Sequence, residues 1–207
     1  MRERAHTLAL CALIASAACH APRRESQSPT YPPIESGVFG SMRNVSVSGR
    51  IWFGGAPDEG DLDLARRRGI ETVIDLTTPD ETNGVNAAQV CARLGLEYRH
   101  LGLPSPERLT DEAVDLVLAW LGPEERGRTL MFCGNGGRCA TFLAIYRALA
   151  VGVPVEEALV EARRAGMRPG EPEEFVRRQV ERLRPRQAAE APADAPAARA
   201  PADGSAG

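Results

Sequence analysis

Lysine is absent from this 207-residue chain, and every basic side chain is an arginine or one of three histidines. With 25 basic and 28 acidic residues the net charge is −3. No basic patch stands out, so nucleic acid is not an expected partner. Histidine is confined to His6, His20 and His100. The five cysteines, at 11, 19, 91, 133 and 139, contain no CxxC pair. That scarcity excludes the common structural zinc patterns, and no metal is expected. A Ser-His-Asp triad would have to run through His100. The chain also lacks an apolar run long enough to cross a bilayer as a stable anchor.

The ends of the chain differ in composition from its middle. Arg2 and Arg4 precede a short apolar run, Leu8 to Ala18, and then Cys19. That is the layout of a secretory signal over residues 1–19. Small residues before Cys19 resemble a bacterial lipoprotein signal, in which that cysteine carries the lipid, although Ser16 stands where leucine is usual. The expectation is export, to the periplasm or to a membrane surface, with a lipid on Cys19 as the one membrane attachment. Ordinary secretion with cleavage nearby is the alternative. Residues 20–41 are rich in Pro and Ser and read as a linker. Residues 185–207 are Ala/Pro-rich, have no large apolar side chains and read as a disordered tail. Residues 42–184 remain for a single domain, long enough for a real core.

Within that domain strand and helix signals alternate. Ser46–Phe53 reads as extended chain running into Gly54-Gly55-Ala56-Pro57. Asp58–Arg68 is helical and stops at Gly69. ETVIDLT (71–77) is a β-branched strand. Asn86–Leu94 is a helix stopped by Gly95, and Leu96–Leu101 the next strand. Thr110 is a plausible N-cap for a helix to Leu121, ended by Gly122-Pro123. Thr129–Phe132 is a strand followed by a glycine turn and a long helix. Helices also fit Val155–Ala165 and Glu171–Leu183. The fold class expected is α/β, with a mostly parallel central sheet flanked by helices.

The turn Cys133-Gly134-Asn135-Gly136-Gly137-Arg138 stands where a strand becomes a helix, the usual ligand position in such a sheet. Glycines let successive backbone N–H groups face inward as an anion nest. The helix N-terminus and Arg138 add positive charge suited to oxyanions. A cysteine in that field holds its proton weakly, and the thiolate is the nucleophile. The turn therefore joins an oxyanion cradle to a nucleophile, as transfer of a phosphoryl or sulfur group requires. A plain turn with a buried cysteine is the competing reading.

GRIWFGGAPDEGDLDLARRRGIETVIDL (49–76), LEYRHLGL (96–103) and TLMFCGNGGRCATFLAIYRAL (129–149) resemble, in order and spacing, the dual-specificity/tyrosine-phosphatase-like superfamily. The resemblance is closest to the small bacterial phosphatase-like domains also found fused to β-lactamase-fold hydrolases, and spans about Val47 to Met167. It implies a cysteine-based phosphatase fold and no cofactor. It implies that Cys133 forms a phosphocysteine, and that Arg138 and the amides of Gly134, Asn135, Gly136, Gly137 and Arg138 bind the phosphate oxygens. Three features depart from the usual pattern. Four residues separate Cys133 from Arg138, where five are usual and where rhodanese sulfurtransferases use four. Phe132 replaces the usual histidine before the cysteine. Cys139 replaces the hydroxyl residue that stabilises the departing thiolate, and Thr141 is a possible substitute two residues on.

A phosphatase of this type also needs an acid to protonate the leaving oxygen. Asp80 is the favoured candidate from its loop position, with Glu81, Glu107 and Asp111 as alternatives. Asp111 falls in a helix first turn, where acids are favoured anyway, and Asp80 sits in ordinary turn chemistry. His100 reads as a satisfied strand histidine, and Asp75 as either a strand-end cap or an orienter of the cysteine loop. Trp52 and Phe53 read as core, Cys91 as a buried small hydrophobe. In an oxidising compartment Cys133 could pair with Cys139 or Cys91. The leading function is an exported cysteine-dependent phosphatase acting on a phosphomonoester. The alternatives are a rhodanese-like sulfurtransferase with a Cys133 persulfide, and a catalytically weak envelope lipoprotein that binds a partner.

Overall fold

The computed structural model describes residues 33–81, 83–103, 109–122 and 127–190. The signal with Cys19, most of the linker, Pro104, Glu107, Pro123 and residues 191–207 lie outside them. Among the described residues there are six strands: β1 Glu35–Ser36, β2 Ser46–Ser48, β3 Ile51–Gly54, β4 Ile70–Asp75, β5 Glu97–His100 and β6 Arg128–Phe132. The helices are α1 Glu59–Arg67, α2 Ala87–Leu94, α3 Asp111–Leu121, α4 Gly137–Tyr146, α5 Val155–Arg164 and α6 Glu171–Glu190. The strands form one sheet in the order β1-β2-β3-β6-β4-β5. β3, β6, β4 and β5 run parallel, while β2 and β1 are added antiparallel beyond β3. This is the mostly parallel α/β sheet that the alternation of strands and helices predicts.

Helices cover both faces of this sheet, so its central strands read as nearly unbroken apolar runs. The period of two divides their side chains. Leu130 and Phe132 of β6 join Leu62 and Ala65 of α1 and Val90 and Cys91 of α2. Met131 and Cys133 face the other way, among Val114 and Val117 of α3, most of α4, and Leu159 and Val176 of α5 and α6. The carboxyl ends of β3, β6 and β4 lie side by side, with Gly54 opposite Phe132 and Phe132 opposite Asp75. Cys133 therefore leaves the middle of the sheet.

Local sequence explains the helix ends. Asp58 and Asp61 form a reciprocal capping box at α1, each carboxylate accepting from the other's backbone N–H at 2.8 and 2.9 Å. Asn86 caps α2 through the N–H of Gln89 at 3.1 Å, and Thr110 caps α3 through Ala113 at 3.2 Å. α4 continues into a π-helical turn, Arg147–Val151, that Gly152 ends. Arg147 is buried there and donates to Ser48 at 3.0 Å and to Glu161 at 3.2 Å, tying β2 to α5.

Three expectations need correction. The extended run Ser46–Phe53 is a hairpin, turning at Gly49–Arg50 with Ser48 opposite Ile51. The end of the expected linker belongs to the fold: Glu35 and Ser36 pair with β2, and Phe39 is fully buried. The Phe39 ring lies 5.3 Å from that of Trp52, with the Arg68 guanidinium over both. One large aromatic with a sheet edge to pair against outweighs the Pro/Ser-rich surroundings. Finally, the last helix does not stop at Leu183. α6 passes through Pro185 to Glu190, so the first part of the expected disordered tail is helical.

Candidate active site

β6 delivers Cys133 into the turn, and the Cys133 N–H still bonds to Gly54 O at 3.2 Å. The turn then closes on its own sulfur, with the Gly136 N–H donating to Cys133 Sγ at 3.1 Å. Gly136 is held at φ 94°, a conformation open to glycine and costly for other residues. At Gly134 a side chain would begin 2.7 Å from the Glu81 carboxylate and would have to displace it. The Gly137 N–H is taken by Asn135 Oδ1 at 3.1 Å, which leaves it less free for a ligand than the resemblance implies.

Cys133 is completely buried, yet its thiol is pulled down from 9.0 to about 5. Hydrogen bonding from the Cys139 side chain is the largest cause, although that thiol also reaches Gly54 O at 3.9 Å. Burial opposes it, while the N–H groups of Cys139 and Asn135 and the charge on Arg138 add to it. Cys133 is therefore a thiolate at neutral pH. Burial, followed by the Cys133 thiolate beside it, pushes Cys139 well above the ordinary thiol range, so it keeps its proton and remains a donor. Cys139 thus stands in the sequence position usual for the hydroxyl residue. Thr141 does not substitute, because its hydroxyl donates back to Gly137 O at 3.1 Å.

Arg138 is buried beside the sulfur. One terminal nitrogen donates to Leu76 O at 3.0 Å and to Leu103 O. The other pairs with Glu81. Glu81 also accepts from the Thr78 N–H at 3.0 Å. Burial pushes its carboxyl up, but Arg138 and Thr78 outweigh that and hold it below the usual range. Glu81 is therefore ionised and suited to positioning Arg138, not to giving up a proton. Asp80 is exposed on the same 3-10 turn, Pro79–Glu81. Neighbouring residues of such a turn point about 120° apart, and the one directed at Arg138 is Glu81. Asp111 bonds to Gln179 at 2.8 Å and pairs with Arg182, between α3 and α6.

The remaining polar residues support the strand ends. Asp75 accepts from the Thr77 N–H at 2.8 Å, the Thr77 hydroxyl at 2.6 Å and the Tyr98 hydroxyl at 2.7 Å, which makes it a strand-end cap. His100 Nε2 lies 2.9 Å from Thr77 O, the satisfied arrangement expected of it. Phe132, in the position usual for histidine, faces α1 and α2 across the sheet from Cys133. Cys91 is on that same far face, so it does not meet Cys133, and burial raises its thiol to about 11. Among the described residues no group of three or more His, Cys, Asp or Glu could hold a metal ion. What sequence reading missed is Glu81 as the partner of Arg138. Its signal was its position three residues after Thr78, whose backbone it engages.

No family model and no curated protein matches this chain. Solved structures do. Tk-PTP in its active form is 26% identical, covering 65% of this chain and 93% of its own, with a TM-score of 0.56. P. aeruginosa TpbA is 24% identical, covering 76% of this chain and 98% of its own, with a TM-score of 0.62. The kinase associated phosphatase, with its catalytic site cysteine changed to serine, is 14% identical with a TM-score of 0.57, covering 64% of this chain and 86% of its own. The chain thus has the phosphatase fold, and the resemblance to the tyrosine- and dual-specificity-phosphatase-like superfamily holds.

Proposed function

We propose that the protein is an exported, cysteine-dependent phosphatase that hydrolyses a phosphomonoester, of the phosphotyrosine type, through a phosphocysteine on Cys133. The observation that carries this reading is a buried thiol held as a thiolate under Arg138, inside a turn whose amides face the sulfur. In the first step the Cys133 thiolate attacks phosphorus, an S–P bond forms and the ester P–O bond breaks. Arg138 and the loop amides bear the charge on the phosphoryl oxygens. In the second, water displaces the thiolate, and the Cys139 S–H stabilises it as it departs. An aryl leaving group suits a site where no described carboxylate is poised as acid, since a phenolate leaves with least help. A form of TpbA with serine in place of a cysteine was solved in complex with pTyr, which supports the same substrate type here. Export rests on the leader pattern before Cys19, with lipid on that cysteine as the membrane attachment.

The test is hydrolysis of p-nitrophenyl phosphate by the reduced protein beside Cys133→Ser and Arg138→Ala. Clear turnover lost in both variants supports the reading. Equal background in all three, together with thiocyanate formation from thiosulfate and cyanide by wild type alone, would replace it with sulfur transfer, which the four-residue gap favours.

A further inference from the structure

Two exposed arginines stand beside the cysteine turn with no carboxylate partner among the described residues. The first is Arg43. Its neighbours are pinned on both sides. Ser41 is fixed to the α1 capping box, its N–H bonding Asp61 at 2.8 Å and its hydroxyl Asp58 at 2.7 Å. Asn44 is held at φ 52° and donates from Nδ2 to Asn135 O of the cysteine turn at 3.0 Å. The Arg43 carbonyl accepts from the Gly55 N–H at 2.8 Å, and Gly55 bridges to Asn135. Between these anchors, Met42 is buried and Arg43 is exposed. The Arg43 Cβ lies 3.7 Å from where a side chain on Gly55 would begin.

The second is Arg168, on the turn between α5 and α6. There Met167 is buried and its N–H bonds to Ala162 O at 2.9 Å. The Gly166 carbonyl lies 3.0 Å from where a side chain on Gly137 would begin. Arg168 follows, exposed. In both places a buried methionine fixes the backbone against the cysteine turn and the next residue offers a guanidinium to solvent. Elsewhere on the surface Arg93 pairs with Glu59, Arg163 with Glu173 and Arg177 with Glu156, while exposed Arg66, Arg67 and Arg164, away from the turn, have no acid partner among the described residues.

We propose that Arg43 and Arg168 form a second anion-reading element on the rim of the cysteine turn. The substrate is then a phosphorylated peptide with acidic residues flanking the phosphorylated one. This rests on the phosphatase reading and names its substrate class. The two arginines come from segments that touch different residues of the turn, Asn135 and Gly137, so each is carried to the rim by its own loop. Cations on separate loops suit an extended chain with acids on either side better than a compact ligand with one extra charge. Arginine on an interface rim acts through selectivity and encounter rate, and its effect fades with salt.

The experiment is fluorescence anisotropy with the full chain carrying Cys133→Ser, so that phosphopeptides bind without turnover. Two phosphotyrosyl peptides are compared, one with acidic and one with neutral flanks. Exposed ion pairs change affinity by about two- to five-fold each. The acidic peptide should bind roughly ten-fold tighter at low salt. Arg43→Ala and Arg168→Ala should each remove about three-fold of that and leave the neutral peptide unchanged. Equal binding of both peptides, or an acidic preference that survives the double variant, overturns the inference. So does displacement of the acidic peptide by an inositol bisphosphate that binds tighter through the same two arginines, since a compact polyanion is then the substrate class. If inorganic phosphate and both peptides fail to bind at all, the phosphatase reading falls and takes this inference with it. Phosphate binding with no acidic preference sinks the inference alone.

Discussion

The Cys139 thiol is the largest cause of the low Cys133 titration, and replacing it gives a sharp test. Bringing a thiol from 9.0 to about 5 amounts to roughly 5 kcal/mol of preference for the thiolate. A hydrogen bond to a charged group contributes about 1.5–3 kcal/mol, and a thiol is a weak donor at the low end of that range. Cys139→Ala should therefore raise the Cys133 midpoint by about one pH unit. Cys139→Ser, which keeps a donor, should hold it near wild type or below. The assay is the pH profile of alkylation by iodoacetamide, read peptide by peptide so that Cys91 is separated. At neutral pH most of Cys133 stays ionised in all three proteins, so the midpoint moves while the plateau rate hardly changes. Phosphocysteine breakdown, which expels the same thiolate, should slow about ten-fold in Cys139→Ala for a loss near 1.4 kcal/mol. An unmoved midpoint in a folded Cys139→Ala protein would show that the amides and Arg138 alone set the titration.

Folding stability should follow the same group. A depressed thiol is stabilising above its unfolded value near 9 and loses that contribution as pH falls toward 5. The melting temperature of wild type relative to Cys133→Ser should therefore rise from pH 5 to pH 9, and a flat difference in thermal melts would contradict the thiolate. Glu81→Gln weakens the pair that positions Arg138, so vanadate should bind a few-fold more weakly by inhibition titration; tighter binding would mean that Glu81 competes with the anion for the arginine. Asp80→Asn should leave kcat for p-nitrophenyl phosphate within about two-fold, since Asp80 is exposed and Glu81 is the acid facing the turn. Phe39→Ala should cost about 3–5 kcal/mol in urea unfolding, and a loss below about 1 kcal/mol would return residues up to 41 to the linker.

The fold was legible wherever one local signal decided the element. Asp58, Asn86 and Thr110 are caps, Gly69 and Gly95 are stops, and the apolar run of β6 can only be a buried strand. The Gly49–Arg50 turn was not legible, because a two-residue turn interrupts neither the composition nor the alternation of Ser46–Phe53. Phe39 was hidden because its burial depends on Trp52 and Arg68, distant in sequence. At the site, the turn itself was readable, since a cysteine, three glycines and an arginine between a strand and a helix have few other uses. The choice between Asp80 and Glu81 was not. It depends on the rotation of a three-residue turn against a buried guanidinium, and no pattern of residue types records that.

The central claim is that Cys133 attacks phosphorus. The most direct measurement is rapid acid quenching during p-nitrophenyl phosphate turnover, followed by mass spectrometry of the peptide containing Cys133. The account predicts one phosphoryl group on that sulfur, appearing before steady state and longer-lived in Cys139→Ala. Turnover with no phosphorylated Cys133 at any quench time would contradict it.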